Sequence, residues 1–217
     1  MRLKLDLHVH SYHSRDALNR FEEINERCRN LGFDGYALCD HDSINGIEEA
    51  KRKASGLIII PGLEISAKDA HVLCYNPSNL IPPKLTINDT VDRIHDHGGT
   101  AVIAHPLGFP RSMLTINKIE NAGFDAVEVA NSAQFPFGLL TSYHKSMARK
   151  LDLPQTGGSD SHIPETIGRA YTIVEAESRD PDTIIEALKS GRTEVYGSGI
   201  SLIERLNSIW RKRFNNL

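Results

Sequence analysis

Leu3 and Leu5 alternate with Lys4 and Asp6, and this period of two predicts an opening strand. Short apolar runs then recur along the chain. Gly35–Cys39, Leu57–Pro61, His71–Tyr75, Thr100–Ala104, Asp125–Ala130 and Ala170–Val174 all read as strands. Between them the period lengthens to that of a helix. Asn19 and Glu22 have capping-box spacing and predict a helix to about Asn30, stopped by Gly32. A second helix is expected from Ile44 to about Ser55. A third starts after Thr86, with Ile87, Val91 and Ile94 on one face and Gly98-Gly99 at its end. Met113–Asn121 and Phe137 to about Leu151 follow. Asp180-Pro181 supplies a cap and a first-turn proline for one more, ended by Gly191. From Ser201, Ile203, Leu206, Trp210 and Phe214 fall at helical spacing, so a C-terminal helix of about 201–215 should pack on the rest. Regular alternation of strand and helix predicts a parallel sheet with crossover helices.

Composition narrows this to one α/β domain over residues 1–217, since 40% of its 217 residues are hydrophobic and no linker or repeat interrupts the pattern. The net charge of −3 and the absence of a basic patch argue against a long nucleic-acid partner. No apolar run approaches the ~18 residues that span a bilayer, so no membrane partner is expected. The N-terminus enters a strand without the apolar core of a signal peptide, and a cytoplasmic location is expected. Cys28, Cys39 and Cys74 lack paired spacing and read as buried thiols. No glycine-rich phosphate loop follows any strand.

Polar residues punctuate the strand ends. His8 and His10 are two apart, so on a strand they face one side. His41, Glu64, His105, Asp160 and His162 also close strands. In an α/β barrel those ends gather on one face, where residues distant in sequence converge. His71 opens its strand, but a hairpin after Glu64 would bring it over the same pocket, and Asp16 would hang in from the first loop. Six histidines and three carboxylates make an N/O donor set suited to Zn, Mn or Fe. Nine ligands exceed the needs of one ion and suit two or three divalent ions.

Asp6-Leu7-His8-Val9-His10, Cys39-Asp40-His41-Asp42, Gly62-Leu63-Glu64-Ile65-Ser66, Ala104-His105-Pro106 and Gly158-Ser159-Asp160-Ser161-His162 resemble, in this order, the motifs of the PHP (polymerase and histidinol phosphatase) family. The resemblance covers residues 3 to about 175. It implies a single distorted, TIM-like (β/α)7 barrel with a trinuclear metal site at the C-terminal ends of the strands, and phosphoester hydrolysis. It would assign His8, His10, Glu64 and Asp160 to a first ion, Glu64, His71 and His105 to a second, and Asp16, His41 and His162 to a third. The family usually carries Thr where this chain has Cys39. No segment is left over for a cap domain, so an open site is expected.

The expected function is hydrolysis of a small phosphate monoester, such as a nucleotide or sugar phosphate, with a metal-bridging hydroxide as nucleophile. The alternatives are an exonuclease or dinucleotide phosphodiesterase of the same fold, and a non-catalytic metal-binding subunit. Asp40 is expected to orient a ligand histidine. Asp42 is a candidate proton donor to the leaving group, or else a helix cap. Arg169, and after it Arg111, could clamp a phosphate with two parallel hydrogen bonds. His13 and His144 match no motif position, His95 and His97 read as solvated, and Asn131 ends a strand without an assigned role. Arg211, Lys212 and Arg213 read as charges favoured at a helix C-terminus.

Overall fold

The computed structural model describes residues 1–107 and 114–206. Arg111, Trp210, Phe214 and the 211–213 charge run lie outside the described residues. Nine described strands form one sheet: β1 (Arg2–Val9), β2 (Gly35–Leu38), β3 (Ile58–Ser66), β4 (His71–Tyr75), β5 (Thr100–Ile103), β6 (Ala126–Asn131), β7 (Gln155–Gly158), β8 (Ala170–Glu175) and β9 (Thr193–Gly197). Their spatial order is β7-β6-β5-β4-β3-β2-β1-β8-β9. Leu5, Ala37, Ile60, Leu73, Val102 and Ala126, from six successive strands, belong to one apolar cluster. They can meet only because the sheet curls into a nearly closed barrel.

Among the described residues six named helices cover the sheet: α1 (Phe21–Asn30), α2 (Ile47–Lys53), α3 (Ile87–Asp96), α4 (Ile116–Ala122), α5 (Phe137–Lys150) and α6 (Pro181–Lys189). The caps read from sequence hold for α3, where the Thr86 side chain accepts from the Asp89 N–H, and for α6, where Asp180 accepts from Asp182. They fail for α1. Arg20 occupies the cap position, with its N–H donating to Glu23, and the Asn19 amide is buried elsewhere. The second helix begins at Ile47 rather than Ile44.

Strict alternation of strand and helix breaks between β7 and β8, which only a single 3-10 turn at Pro164–Thr166 separates, and between β3 and β4. Residues 67–70 between β3 and β4 are too few for a crossover, so the two strands form an antiparallel hairpin, and β4 also runs antiparallel to β5. The partly exposed β9, absent from the sequence reading, pairs antiparallel with β8. β1 and β8 are also antiparallel, and the remaining neighbours β1-β2, β2-β3, β5-β6 and β6-β7 are parallel.

The seam that closes the barrel joins β1 to the end of β7. His8 C=O accepts from the Asp160 N–H at 2.8 Å, and Ser161 C=O accepts from the His10 N–H at 3.1 Å. Asn19 sits behind the seam and donates to the His10 and Ser161 carbonyls at 2.8 and 3.0 Å. Asp6, fully buried, accepts from the Ser159 and Gly168 N–H groups at 2.8 and 2.9 Å. Burial lifts its pKa to about 6, against the pull of these hydrogen bonds. β7 carries two glycines, which is poor strand chemistry, because the backbones approach too closely for side chains. A Cβ at Gly158 would stand 2.5 Å from the His8 nitrogen and 2.4 Å from its Cβ.

Gly158→Ala is therefore expected to destabilise the fold by on the order of 3 kcal/mol or more, because rigid backbone must move. Gly138→Ala, in α5 with nothing within 4 Å of the added Cβ, should be neutral or stabilising by up to about 1 kcal/mol. Urea unfolding of both variants measures the contrast.

Candidate metal centre

The barrel brings all nine metal-capable residues named from the sequence to the strand ends at one face. Glu64, near the end of β3, lies at their centre with its side chain 1% exposed. Its Oε1 is 2.8 Å from His71 Nδ1 and 3.2 Å from His105 Nε2. Its Oε2 is 3.3 Å from His8 Nε2 and 3.2 Å from both His10 Nε2 and His41 Nδ1. Asp160 Oδ1 lies 3.2 Å from His10 Nε2. On the far side Asp16 Oδ2 is 3.2 Å from His162 Nε2 and 3.9 Å from His41 Nε2. Backbone with positive φ at His105 (29°) and Asp160 (52°) turns two of these residues at their strand ends.

These residues fit divalent cations. Glu64 Oε2 is buried with three ring nitrogens near it, yet it makes no hydrogen bond with any of them, and His10 Nδ1 and His41 Nδ1 are also orphaned. Lone pairs that converge without sharing protons are what a cation satisfies. Three sets of donor atoms lie within 4.8 Å of one another: His8, His10, Glu64 and Asp160; His41, Glu64 and His71; and His10, His41 and His162.

Electrostatics follow from burial and charge balance. Burial favours neutral carboxyls, but His41 and His8 outweigh it at Glu64, and His8 and His10 do so at Asp160; both stay well below the usual range. Burial also favours neutral rings at His8 and His10, where the carboxylates win. Glu128, Asp160 and Glu64 hold His8 well above its ordinary pKa, and Asp160 and Glu64 lift His10 to about 9. At His41 burial wins, and its pKa falls to about 4. Cations and protons thus compete for the same nitrogens.

The most informative residue missed by the sequence reading is Glu128. It is 1% exposed in β6. Its Oε1 accepts from His8 Nδ1 at 2.9 Å, and its Oε2 accepts from the His105 N–H at 2.9 Å and from Asn131 Nδ2 at 3.0 Å. Asn131, which had no assigned role, also donates to Asp160 Oδ2 at 3.2 Å. The signal was a lone charge inside the apolar run of Ala126, Val127, Val129 and Ala130.

Several expected roles move. Asp40 bonds no histidine; it accepts from the Ser11 N–H and hydroxyl at 2.6 and 2.8 Å, bracing the loop after His10. Asp42 neither lines the cavity nor caps a helix; its carboxylate accepts from the Ser66 N–H at 2.8 Å, opposite His71 in the hairpin. Arg169 also stands off the cavity and donates through Nε and Nη2 to Glu204 Oε1. Cys39 Sγ is buried 3.7 Å from Leu7 C=O, a weak contact. His144 is buried with both ring nitrogens unpartnered, and burial lowers its pKa to about 4. His13 pairs with Glu49, and His95 with Asp125.

A cavity of about 500 Å³ opens beside the cluster. Asp160, His162 and Glu64 form its polar side, and Leu107, Phe135 and Leu140 form an apolar one. Barrel and donor cluster together make a site able to hold divalent metal. Residues 6–167 match the family described as PHP domain, and the chain belongs to that family. Residues 144–193 also match a segment described as PHP-associated. An uncharacterized protein of Methanocaldococcus jannaschii is 27% identical over 228 residues, covering 98% of this chain and 89% of that one. The fold resembles that of a two-domain protein from Bacteroides vulgatus, described as containing a predicted PHP-like metal-dependent phosphoesterase. That similarity has a TM-score of 0.76 at 21% identity and covers 98% of this chain and 70% of the other. A 5'-3' exoribonuclease of Haemophilus influenzae is 44% identical over 68 residues, 30% of this chain and 24% of that enzyme.

Glu128→Gln keeps the volume but replaces one acceptor oxygen with a donor. Loss of a partner that orients a metal-binding histidine typically weakens metal affinity 10- to 100-fold. The same loss is expected here, with the fold retained, and competition with a chelator measures it.

Proposed function

We propose that this chain hydrolyses a small phosphate monoester with divalent cations held by the nine-residue cluster. The observation that carries the reading is Glu64, whose two oxygens lie within 3.3 Å of five histidines. His8, His10, Glu64 and Asp160 would hold one cation. His71 and His105 would hold a second with Glu64, and Asp16, His41 and His162 would hold a third. When bound, such ions supply water ionised at neutral pH and positive charge for the phosphoryl oxygens.

The chain's own residues prepare the donors. Glu128 accepts a hydrogen bond from His8 Nδ1–H, which leaves Nε2 free to face the cluster. The Asp160 carbonyl does the same for His162, accepting from Nδ1 at 2.9 Å. Asn131 pins Asp160 Oδ2. The apolar wall of Leu107, Phe135 and Leu140 limits water on one side of the cavity. A small substrate suits this volume, and the net charge of −3 gives no footprint for a long polyanion.

A second reading is a nuclease that trims short oligonucleotides. The 44% identity to a stretch of the Haemophilus exoribonuclease favours it, although that stretch is 24% of the enzyme. No described helix is long and apolar enough to cross a membrane.

The test is a panel of monoesters, dinucleotides and short oligonucleotides with protein reconstituted in Mn or Zn. Monoesters should be turned over fastest, chelator should abolish the rate, and added metal should restore it. Preference for oligonucleotides would establish the second reading. Glu64→Gln should lower the rate more than about tenfold, or ~1.4 kcal/mol of barrier, while its thermal unfolding stays cooperative.

A further inference from the structure

Arg205, on the helical segment of residues 202–206, reaches the cavity that Glu64, His71, His105, Asp160 and His162 line. Its guanidinium carries five N–H donors. Among the described residues one is used, donating from Nη2 to Gln134 C=O at 3.0 Å. Nε is buried and, among the described residues, has no partner. The guanidinium carbon lies 5.7 Å from the centre of the Phe135 ring, within cation–π range. Among the described residues no carboxylate pairs with it, so a partly buried cation faces the site uncompensated. Such a group gains from a bound anion, and its planar fork matches two oxygens of one phosphate.

Its neighbour Glu204 points the other way. Glu204 accepts from Arg169 Nε at 3.0 Å and also from Arg169 Nη2, and its second oxygen accepts from the Ser201 N–H at 2.7 Å. Arg169 precedes β8, so this pair ties the 202–206 segment to the barrel wall. With Glu204 fixed, the next residue is presented to the cavity.

We infer that Arg205 binds the substrate phosphate and selects dianionic monoesters over diesters, and that the Arg169–Glu204 pair is the positioning device that presents it. The inference rests on the phosphoesterase reading and names the residues that decide which ester is accepted. A monoester dianion has three non-bridging oxygens and a diester two, so with one oxygen turned to the cations only the monoester keeps two for the fork, and the diester carries one charge less.

The experiment uses the full metal-loaded chain, with p-nitrophenyl phosphate and methyl p-nitrophenyl phosphate as monoester and diester. Inorganic phosphate, measured by calorimetry, serves as a probe that needs no turnover. Loss of a bidentate contact to a charged group corresponds to roughly 10- to 150-fold. Arg205→Ala should lower kcat/KM for the monoester by that factor, mainly through KM, and weaken phosphate binding alike. The diester should lose several-fold less. Arg205→Lys keeps the charge without the fork and should recover part of the loss.

Arg169→Glu should show the same rise in KM with kcat largely kept. Arg169→Glu combined with Glu204→Arg restores the pair in reverse and should return KM to within about threefold of wild type, a rescue that a merely structural role would not give. Metal content should be unchanged throughout. Phosphate binding within threefold of wild type in Arg205→Ala would overturn the inference. Equal losses on both esters would overturn its selectivity. Wild type that hydrolyses neither ester, yet binds phosphate through Arg205, would refute the phosphoesterase reading and leave the anion site standing.

Discussion

The structure depends on one buried carboxylate surrounded by imidazoles. An isolated charge as deep as Glu64 would be costly to bury, and the ordinary response would be protonation. Here five ring nitrogens within 3.3 Å hold it ionised. Those nitrogens come from β1, the end of β2, the start of β4 and the end of β5. The balance exists only if those backbones converge, so the electrostatics of the site and the closure of the barrel are one condition. Packed apolar clusters give the barrel its bulk, but they would tolerate small shifts that the cluster would not.

The closing seam shows the same dependence from the other side. β1 delivers His8 and His10, and the turn after β7 delivers Asp160 and His162. Asp6, Asn19 and Gly158 do not touch the cavity, yet they set the distance between these two pairs. Asp6 is held against burial by backbone donors from β7 and from the turn before β8. Asn19 spans the carbonyls of both strand ends. Gly158 leaves room for the backbone of β1. A helix cap at Asn19 would have satisfied one end of α1, but the barrel uses that amide where two buried carbonyls need it more.

Much of this was legible in the sequence because strand ends are local features. A histidine or carboxylate that follows an apolar run is visible without knowing what lies beside it, so seven of the nine cluster residues stand out this way, while His71 and Asp16 were placed by the expected hairpin and loop. The residues that support them were less legible, because support is a tertiary relation. Glu128 lies within its strand rather than at the end, and only the curl of the sheet turns it toward His8 and the His105 backbone. Asp40 adjoins His41 in sequence, yet its oxygens reach Ser11. Arg169 looked available because its partner Glu204 comes 35 residues later. β9 escaped because its half-exposed alternation carries little apolar signal.

The division between chemistry and selectivity follows from where these groups sit. Residues 6–167 match the PHP domain and contain all nine cluster residues. Arg169, Glu204 and Arg205 fall outside that match, and the last two also lie beyond the PHP-associated segment of 144–193. The donors are therefore fixed by strands that cannot shift without opening the barrel, while the proposed anion contact is carried by a segment held through one ion pair and the Phe135 face. Changes in that segment could alter which phosphate is accepted without disturbing the charge balance around Glu64. Changes in the strands could not, because the ends of β1 and β7 that carry His8, His10, Asp160 and His162 also form the seam that closes the fold.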